Sequence, residues 1–235
     1  MHIAVISDLH LGLGDTTDGF GHDDGAFLRF LRHLEANFER IVLLGDIWET
    51  LTGPRWGDAA ASLSAARAAH PEIARRFAAQ KYRYVHGNHD LVAGALHRVP
   101  EALLLKREGP RILFTHGHHH DLLIRKARWL SELGVWIGGW LHRLRLSPLY
   151  RVFNAVDMSA AAAAQGSSGG SFQRWALAAA EAHQADIVVT GHTHVPLKCE
   201  VGDRLFLNGG SCAEGRFSYA ALDTRRGDYR ICAGF

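Results

Sequence analysis

The chain has 235 residues, of which 47% are hydrophobic and 21% charged, which excludes a disordered polymer and allows a sizeable core. A formal net charge of +2 gives no electrostatic reason to expect a nucleic-acid partner. No run reaches the ~20 apolar residues of a membrane-spanning helix, and "IAVI" meets Asp8 too soon for a signal peptide.

In chain order, "IAVISDLHLG" reads as a strand that ends on Asp8 and His10. A helix follows over "GAFLRFLRHLEANF", with Asp23 or Asp24 as cap and Phe27, Phe30, Leu31 and Leu34 at helical spacing. The strand "RIVLLGD" ends on Asp46. Asp58 can cap "AAASLSAARAAH", which Pro71 separates from a second helix over "EIARRFAAQ". "YRYVHGNHD" ends on Asn88, His89 and Asp90, and "RILFTHG" ends on His116. Residues 121–184 then form a helical insertion inside a single domain spanning 1–235, with breaks expected at Ser147–Pro148 and at "QGSSGGS", 165–171. "DIVVTGHTH" brings His192 and His194. Beyond Pro196, short strands with turns at Gly202–Asp203 and Gly227–Asp228 predict a second, more antiparallel sheet region. The alternation of strand and helix makes this an α/β protein. Cys199, Cys212 and Cys232 lack metal-type spacing and read as reduced core thiols of a cytoplasmic protein.

Taken alone, a D-x-H pair is an ordinary cap beside a surface histidine, and G-D after a strand is an ordinary turn. Five strands that each end in metal-capable residues are a different matter, because ligands of open α/β sheets bind outside the carboxyl ends of the strands. Asp8, His10, Asp46, Asn88, His116, His192 and His194 suit two divalent ions, with Asp46 between them. Such a pair, about 3.5–4 Å apart, can grip a phosphate and acidify a water. Mixed His, Asp and Asn donors favour Mn²⁺, Fe²⁺ or Zn²⁺, with Mn²⁺ the first expectation. The glycines of "GNHD" and "GHTH" imply close approach of the backbone to something.

The order D-x-H, G-D, G-N-H-D, H-G-H, G-H-T-H resembles the calcineurin-like metallophosphoesterase superfamily over nearly the whole chain. The resemblance implies two packed β-sheets flanked by helices. It also implies one ion held by Asp8, His10, Asp46 and His194, and another by Asp46, Asn88, His116 and His192. His89, next to Asn88, is placed to donate a proton or hydrogen bond to the phosphoryl or leaving oxygen, with Asp90 to orient that imidazole; since the resemblance makes His116 the ligand of H-G-H, His118 to His120 line the rim or stand behind the ligands. Asn208 in "LNGGS" stands where relatives often have N-P-G-S and is given a supporting role.

The insertion bears on substrate. In "DLLIRKARWLSELGVWIGGWLHRLRL", Leu123, Ala127, Leu130, Ile137, Leu141 and Leu144 form one helical stripe, and Trp129, Leu133, Trp136 and Trp140 a second beside it. Together they are wider than the ~100° stripe of a surface helix. Gly134, Gly138 and Gly139 suggest a bend. This is either a packed helical cap or a lid that meets acyl chains or a bilayer, with Arg125 and Arg128 near substrate phosphates. Binding of single-stranded nucleic acid ranks behind both. The insertion, "GAFLRFL" and "YVHGNHDLVAG" are similar to the UDP-2,3-diacylglucosamine pyrophosphatases of lipid A synthesis, although the best-known of these carry arginine at the position of His89. The expected enzyme cleaves the pyrophosphate of a nucleotide-lipid, in the cytoplasm or at the inner membrane surface. The alternatives are a soluble or cyclic nucleotide phosphodiesterase, and a non-catalytic interaction module on the same fold.

Overall fold

Strand β1 (His2–Ile6) is buried on both faces, and its residues alternate between two cores: Ile3 and Val5 enter one, Ala4 and Ile6 the other. The computed structural model describes residues 1–15, 17–106, 109–143 and 170–235, and for 122–125 and 142 the backbone alone. Among these, β1 lies at the centre of a five-stranded sheet in the order β10-β9-β1-β2-β3. Here β2 is Arg40–Leu44, β3 Tyr82–Val85, β9 Ser218–Asp223 and β10 Asp228–Ala233. Strands β1, β2 and β3 run parallel, while the hairpin β9/β10 adds antiparallel to β1.

A second sheet has the order β4-β5-β6-β8-β7, from β4 (Ala102–Leu105), β5 (Ile112–Thr115), β6 (Ile187–Thr190), β7 (Leu197–Val201) and β8 (Arg204–Asn208). Its centre, β5, β6 and β8, is parallel. The two sheets stack on a shared apolar layer in which Ile3, Val5, Val42 and Leu44 meet Phe114, Val189 and Leu207.

Helices cover both outer faces. On the first sheet lie α1 (Asp24–Asn37), α2 (Ala59–Ala69), α3 (Pro71–Phe77) and α4 (Leu91–His97). The side chain of Asp23 accepts the Ala26 amide at 3.0 Å and that of Asp58 the Ala61 amide at 3.2 Å, while Pro71 opens α3 where no amide proton is required. On the second sheet, α6 (Ser171–Ala182) packs Phe172, Ala176 and Ala180 against Leu113, Val188 and Phe206. Phe206 is fully buried there. Phe206→Ala is expected to lower unfolding stability by about 3–5 kcal/mol, read as a shift of the urea midpoint at unchanged m-value.

Three expectations need correction. The strands after Pro196 do not form a sheet region of their own: β7/β8 extends the second sheet, and β9/β10 the first. Each hairpin goes where it finds an unpaired edge, β8 beside β6 and β9 beside β1. The Gly202–Asp203 turn joins β7 to β8 as expected, but Thr224–Gly227 is a four-residue loop, with Asp228 already paired to Asp223. Of the cysteines, Cys212 is buried, whereas Cys199 and Cys232 are half-buried.

The insertion begins as α5 (Leu122–Arg143), and its bend is at Ala127 (φ −145°, ψ 47°) rather than at the glycines. Gly138 and Gly139 are buried, and Gly139 serves close packing: a Cβ there would lie 3.2 Å from Thr52. Trp136 donates its indole proton to Gly53 O at 3.1 Å, and Arg143 reaches Asp15 at 3.2 Å. The stripes are therefore covered only in part. Trp129, Leu130, Ile137 and Trp140 are 57, 47, 44 and 38% exposed. The breaks expected at Ser147–Pro148 and across 165–169, like Leu144 of the stripe, lie outside the described residues, and Ser171 already opens α6. Among the described residues no helix is long and apolar enough to cross a membrane.

Candidate active site

The parallel strands of both sheets deliver their carboxyl ends to the same edge of the molecule. Behind β1 stand Asp8 and His10, behind β2 Asp46, behind β3 Asn88 and His89, behind β5 His116, and behind β6 His192 and His194. Side chains from the two sheets then meet. His116 Nε2 lies 3.1 Å from Asp46 Oδ2, and His194 Nε2 lies 3.2 Å from Asp8 Oδ1. The His192 amide donates to Asp8 at 3.1 Å, and the His89 amide to Asp46 Oδ1 at 2.8 Å. Ligand atoms of Asp8, His10 and His194 all lie within 4.8 Å of one another, as do those of Asp46, His116 and His192.

This convergence bends the backbone. Asp8, His10, Asp46, His192 and His194 have φ between 50° and 69°, five of the eight non-glycine residues with left-handed backbone among those described. Each such residue costs on the order of 1–2 kcal/mol, and the conformation persists only where the surroundings enforce it. The motif glycines have a separate reason. A Cβ on Gly87 would stand 2.2 Å from Asp46 Oδ1, and one on Gly191 2.6 Å from Asp8 Oδ2. The glycine of one strand end is the space that a carboxylate from another strand occupies. Gly191→Ala is expected to weaken Mn²⁺ affinity by about 10–100-fold, measured by isothermal titration.

Charge is concentrated here. Burial alone would raise the carboxyls, but His194 and His116 facing Asp8, and His116 and His89 facing Asp46, hold both below the usual carboxylate range, Asp46 well below. Burial would lower the imidazoles, yet Asp46 and Asp8 raise His116 to about 9, and Glu49 and Asp46 raise His89 to about 10. His192, with burial and His116 acting together, falls to about 3. Burial and the neighbouring His116 likewise push His118 to about 2.

Glu49 went unrecognised in the sequence. Its buried carboxylate accepts from Leu51 N at 2.8 Å and lies 2.7 Å from His89 Nδ1 and 3.3 Å from His10 Nδ1. Burial opposes its ionisation, but His89 and His10 hold it far below the usual range. The signal was an acid three residues after Asp46, behind the apolar pair Ile47–Trp48. Asp90, expected to orient His89, does something else. It accepts the amides of Gly87 at 2.6 Å and Ile47 at 2.8 Å, and the Tyr84 hydroxyl, so it ties the β2 and β3 ends together. An N-H-D sequence puts consecutive side chains on different sides of the turn, and Glu49 is the carboxylate on the imidazole side.

Asn208 braces the G-H-T-H loop through Gly191 O at 2.7 Å and Thr193 Oγ1 at 3.0 Å. His118 is buried beside His116, His119 pairs with Glu101, and His120 packs edge-on to Phe172. Of the substrate arginines, Arg128 pairs with Glu132 along the exposed side of α5 and makes no ion pair with the cluster, while the Arg125 side chain lies outside the described residues.

The model of the family described as calcineurin-like phosphoesterase matches residues 1–196. The chain belongs to that family. This phosphoesterase is 25% identical to a UDP-2,3-diacylglucosamine hydrolase of Serratia proteamaculans, over 83% of each chain. It is 27% identical to an enzyme of the same name from Shigella dysenteriae, again over 83% of each. Among solved structures it resembles a Vps29 double mutant of Entamoeba histolytica, with a TM-score of 0.50 and 16% identity over 100% of this chain and 98% of that one. That last likeness extends to the fold alone. The chain is thus a metal-dependent phosphoesterase, a hydrolase whose fold implies divalent ions. The donors present fit such ions. His10 Nε2 and Asn88 Oδ1 are buried without a hydrogen-bond partner, and an orphaned buried polar atom is costly unless something binds it.

Proposed function

We propose that this phosphoesterase hydrolyses the pyrophosphate of a nucleotide-lipid, with UDP-2,3-diacylglucosamine as first candidate, releasing UMP and the lipid monophosphate. The observation that carries this reading is the placement of α5. Its inner side is fastened to the loops that follow Glu49 and His10, and its outer side leaves Trp129, Leu130, Ile137 and Trp140 in water. An apolar patch beside a polar phosphate site suits a substrate with acyl chains at one end and a nucleotide at the other. The names of the two relatives point the same way.

In this reading Asp8, His10, Asp46 and His194 would hold one ion and Asp46, Asn88, His116 and His192 the other, with Mn²⁺ as the favoured metal. Such ions would supply Lewis-acid stabilisation of the phosphoryl oxygens and acidify the attacking water. His89 keeps its proton because Glu49 faces Nδ1, which leaves Nε2 to donate to the leaving oxygen. Asn88 faces both substrate and metal. In the same reading Arg125 and Arg128 serve substrate phosphates; Arg128, paired with Glu132 on the exposed side of α5, would meet those at the lipid end rather than the scissile bond. The protein works in the cytoplasm, against the inner membrane surface.

The test is hydrolysis, with Mn²⁺ and detergent, of UDP-2,3-diacylglucosamine beside bis-p-nitrophenyl phosphate and a cyclic nucleotide. The expected result is a preference for the acylated substrate of at least about 100-fold in kcat/KM, which Trp129→Ser/Trp140→Ser removes through KM. Turnover of the small esters alone would instead make the protein a soluble phosphodiesterase.

A further inference from the structure

His10 must hold a left-handed backbone (φ 50°) while keeping Nε2 unpartnered, and what braces it lies partly outside the active site. On one side its amide donates to Asp46 O at 3.0 Å, and Leu11 N to Ile47 O at 3.0 Å. On the other side the chain returns against it: a Cβ on Gly19 would lie 3.2 Å from His10 Cβ. The position of that wall depends on how residues 12–15 and 17–20 are folded. One carboxylate organises it. Asp18 accepts the amides of Gly12 at 3.2 Å, Gly14 at 2.9 Å and Phe20 at 2.8 Å. Behind Asp18 stands His70, at the junction of α2 and α3, with Nε2 3.6 Å from Asp18 Oδ2 and Nδ1 2.7 Å from Asp24 Oδ1. The imidazole is buried and sits edge-on to Phe20. Nδ1 is hydrogen-bonded to Asp24, while Nε2 faces Asp18 across 3.6 Å as an electrostatic contact, so the ring sits between two acids that favour its charged form. Burial opposes that charge, but Asp18 and Asp24 outweigh it and raise its pKa. A buried ion cluster of this kind is costly to assemble and specifies one geometry.

We infer that Asp18 and His70 are positioning residues for His10. The pair fixes the loop whose Gly19 wall holds the His10 imidazole toward its ion, so the site is pre-set before the metal arrives. Main-chain bonds from Glu214 and Gly215 to Gly19 and Phe20 hold the far side of the loop but do not reach its start, where Asp18 acts on Gly12 and Gly14. The inference rests on the reading of His10 as a metal ligand and deepens it.

The experiment is isothermal titration of the metal-free protein with Mn²⁺, with His10→Ala marking which binding step belongs to His10. Asp18→Asn is expected to weaken that step by about tenfold or more and to leave the other within twofold. His70→Gln, which spares every amide bond to Asp18, is expected to act in the same direction with a smaller effect, and it carries the test if Asp18→Asn does not fold. The double variant should be no weaker than Asp18→Asn, because the two act as one unit. A lower melting temperature with both steps unchanged would make the cluster a fold brace only and overturn the inference. Equal weakening of both steps would overturn it as well, because the effect would then be general loosening. Absence of Mn²⁺ binding in the unmodified protein would instead remove the metal reading, and this inference with it.

Discussion

Asp46→Asn is expected to lower phosphodiester hydrolysis at saturating Mn²⁺ by at least about a thousandfold. The reason is position. Asp46 is the carboxylate proposed to serve both ions: Oδ1 takes the His89 amide at 2.8 Å, Oδ2 lies 3.1 Å from His116, and charge from His10 reaches it as well. Asparagine is nearly isosteric and fits beside Gly87, where nothing larger than hydrogen is tolerated on the facing backbone. It removes the negative charge that lets cations gather there, so metal uptake and turnover should fall together. Steady-state kinetics and metal content after gel filtration read the two losses, and an unaltered near-ultraviolet circular dichroism spectrum shows that packing is intact. Turnover within tenfold of the parent would sink the assignment of Asp46 as the shared carboxylate.

The second large effect separates two carboxylates that sequence alone confuses. His89→Ala is expected to lower kcat by about 10²–10⁴, because the imidazole proposed to protonate the leaving oxygen is gone. Glu49→Gln should lower kcat by about 10–100-fold, since a neutral amide at 2.7 Å from Nδ1 no longer favours the imidazolium. The double variant should be no slower than His89→Ala alone, which a pre-steady-state comparison would show. Asp90→Asn should behave differently. Its carboxylate holds three backbone amides and a tyrosine hydroxyl at the junction of the β2 and β3 ends, so its loss should lower the melting temperature and disturb both proposed ion sites rather than the proton donor. A substrate with a p-nitrophenolate leaving group, which needs no proton, should rescue most of the His89→Ala defect and none of the Asp90→Asn defect.

These predictions differ in how visible their residues are in the sequence. The motifs carry their own punctuation: apolar run, glycine, then Asp, Asn or His. That pattern reflects local chemistry, because a strand end must turn and only glycine leaves room for a carboxylate from the next strand, as at Gly87 and Gly191. The caps Asp23 and Asp58 and the break at Pro71 were readable for the same reason, since each acts within four residues of itself. Glu49 was not readable as the partner of His89, forty residues away in sequence, because nothing local distinguishes a buried acid after an apolar pair from one in a loop. Asp18 and His70 were hidden likewise, on separate segments that meet only when α1 and α2 pack on the first sheet.

The amino-acid sequence by itself thus determined the strand ends, the chemistry available at each and the family, since all three rest on residues within reach of one another along the chain. Only the tertiary structure decided that the last four strands divide between two sheets, because edge pairing is a contest among distant segments. It alone also decided which face of α5 is covered. The helical stripe was apolar over half its circumference, and the contacts at Gly53, Thr52 and Asp15 left Trp129 and Trp140 in solvent.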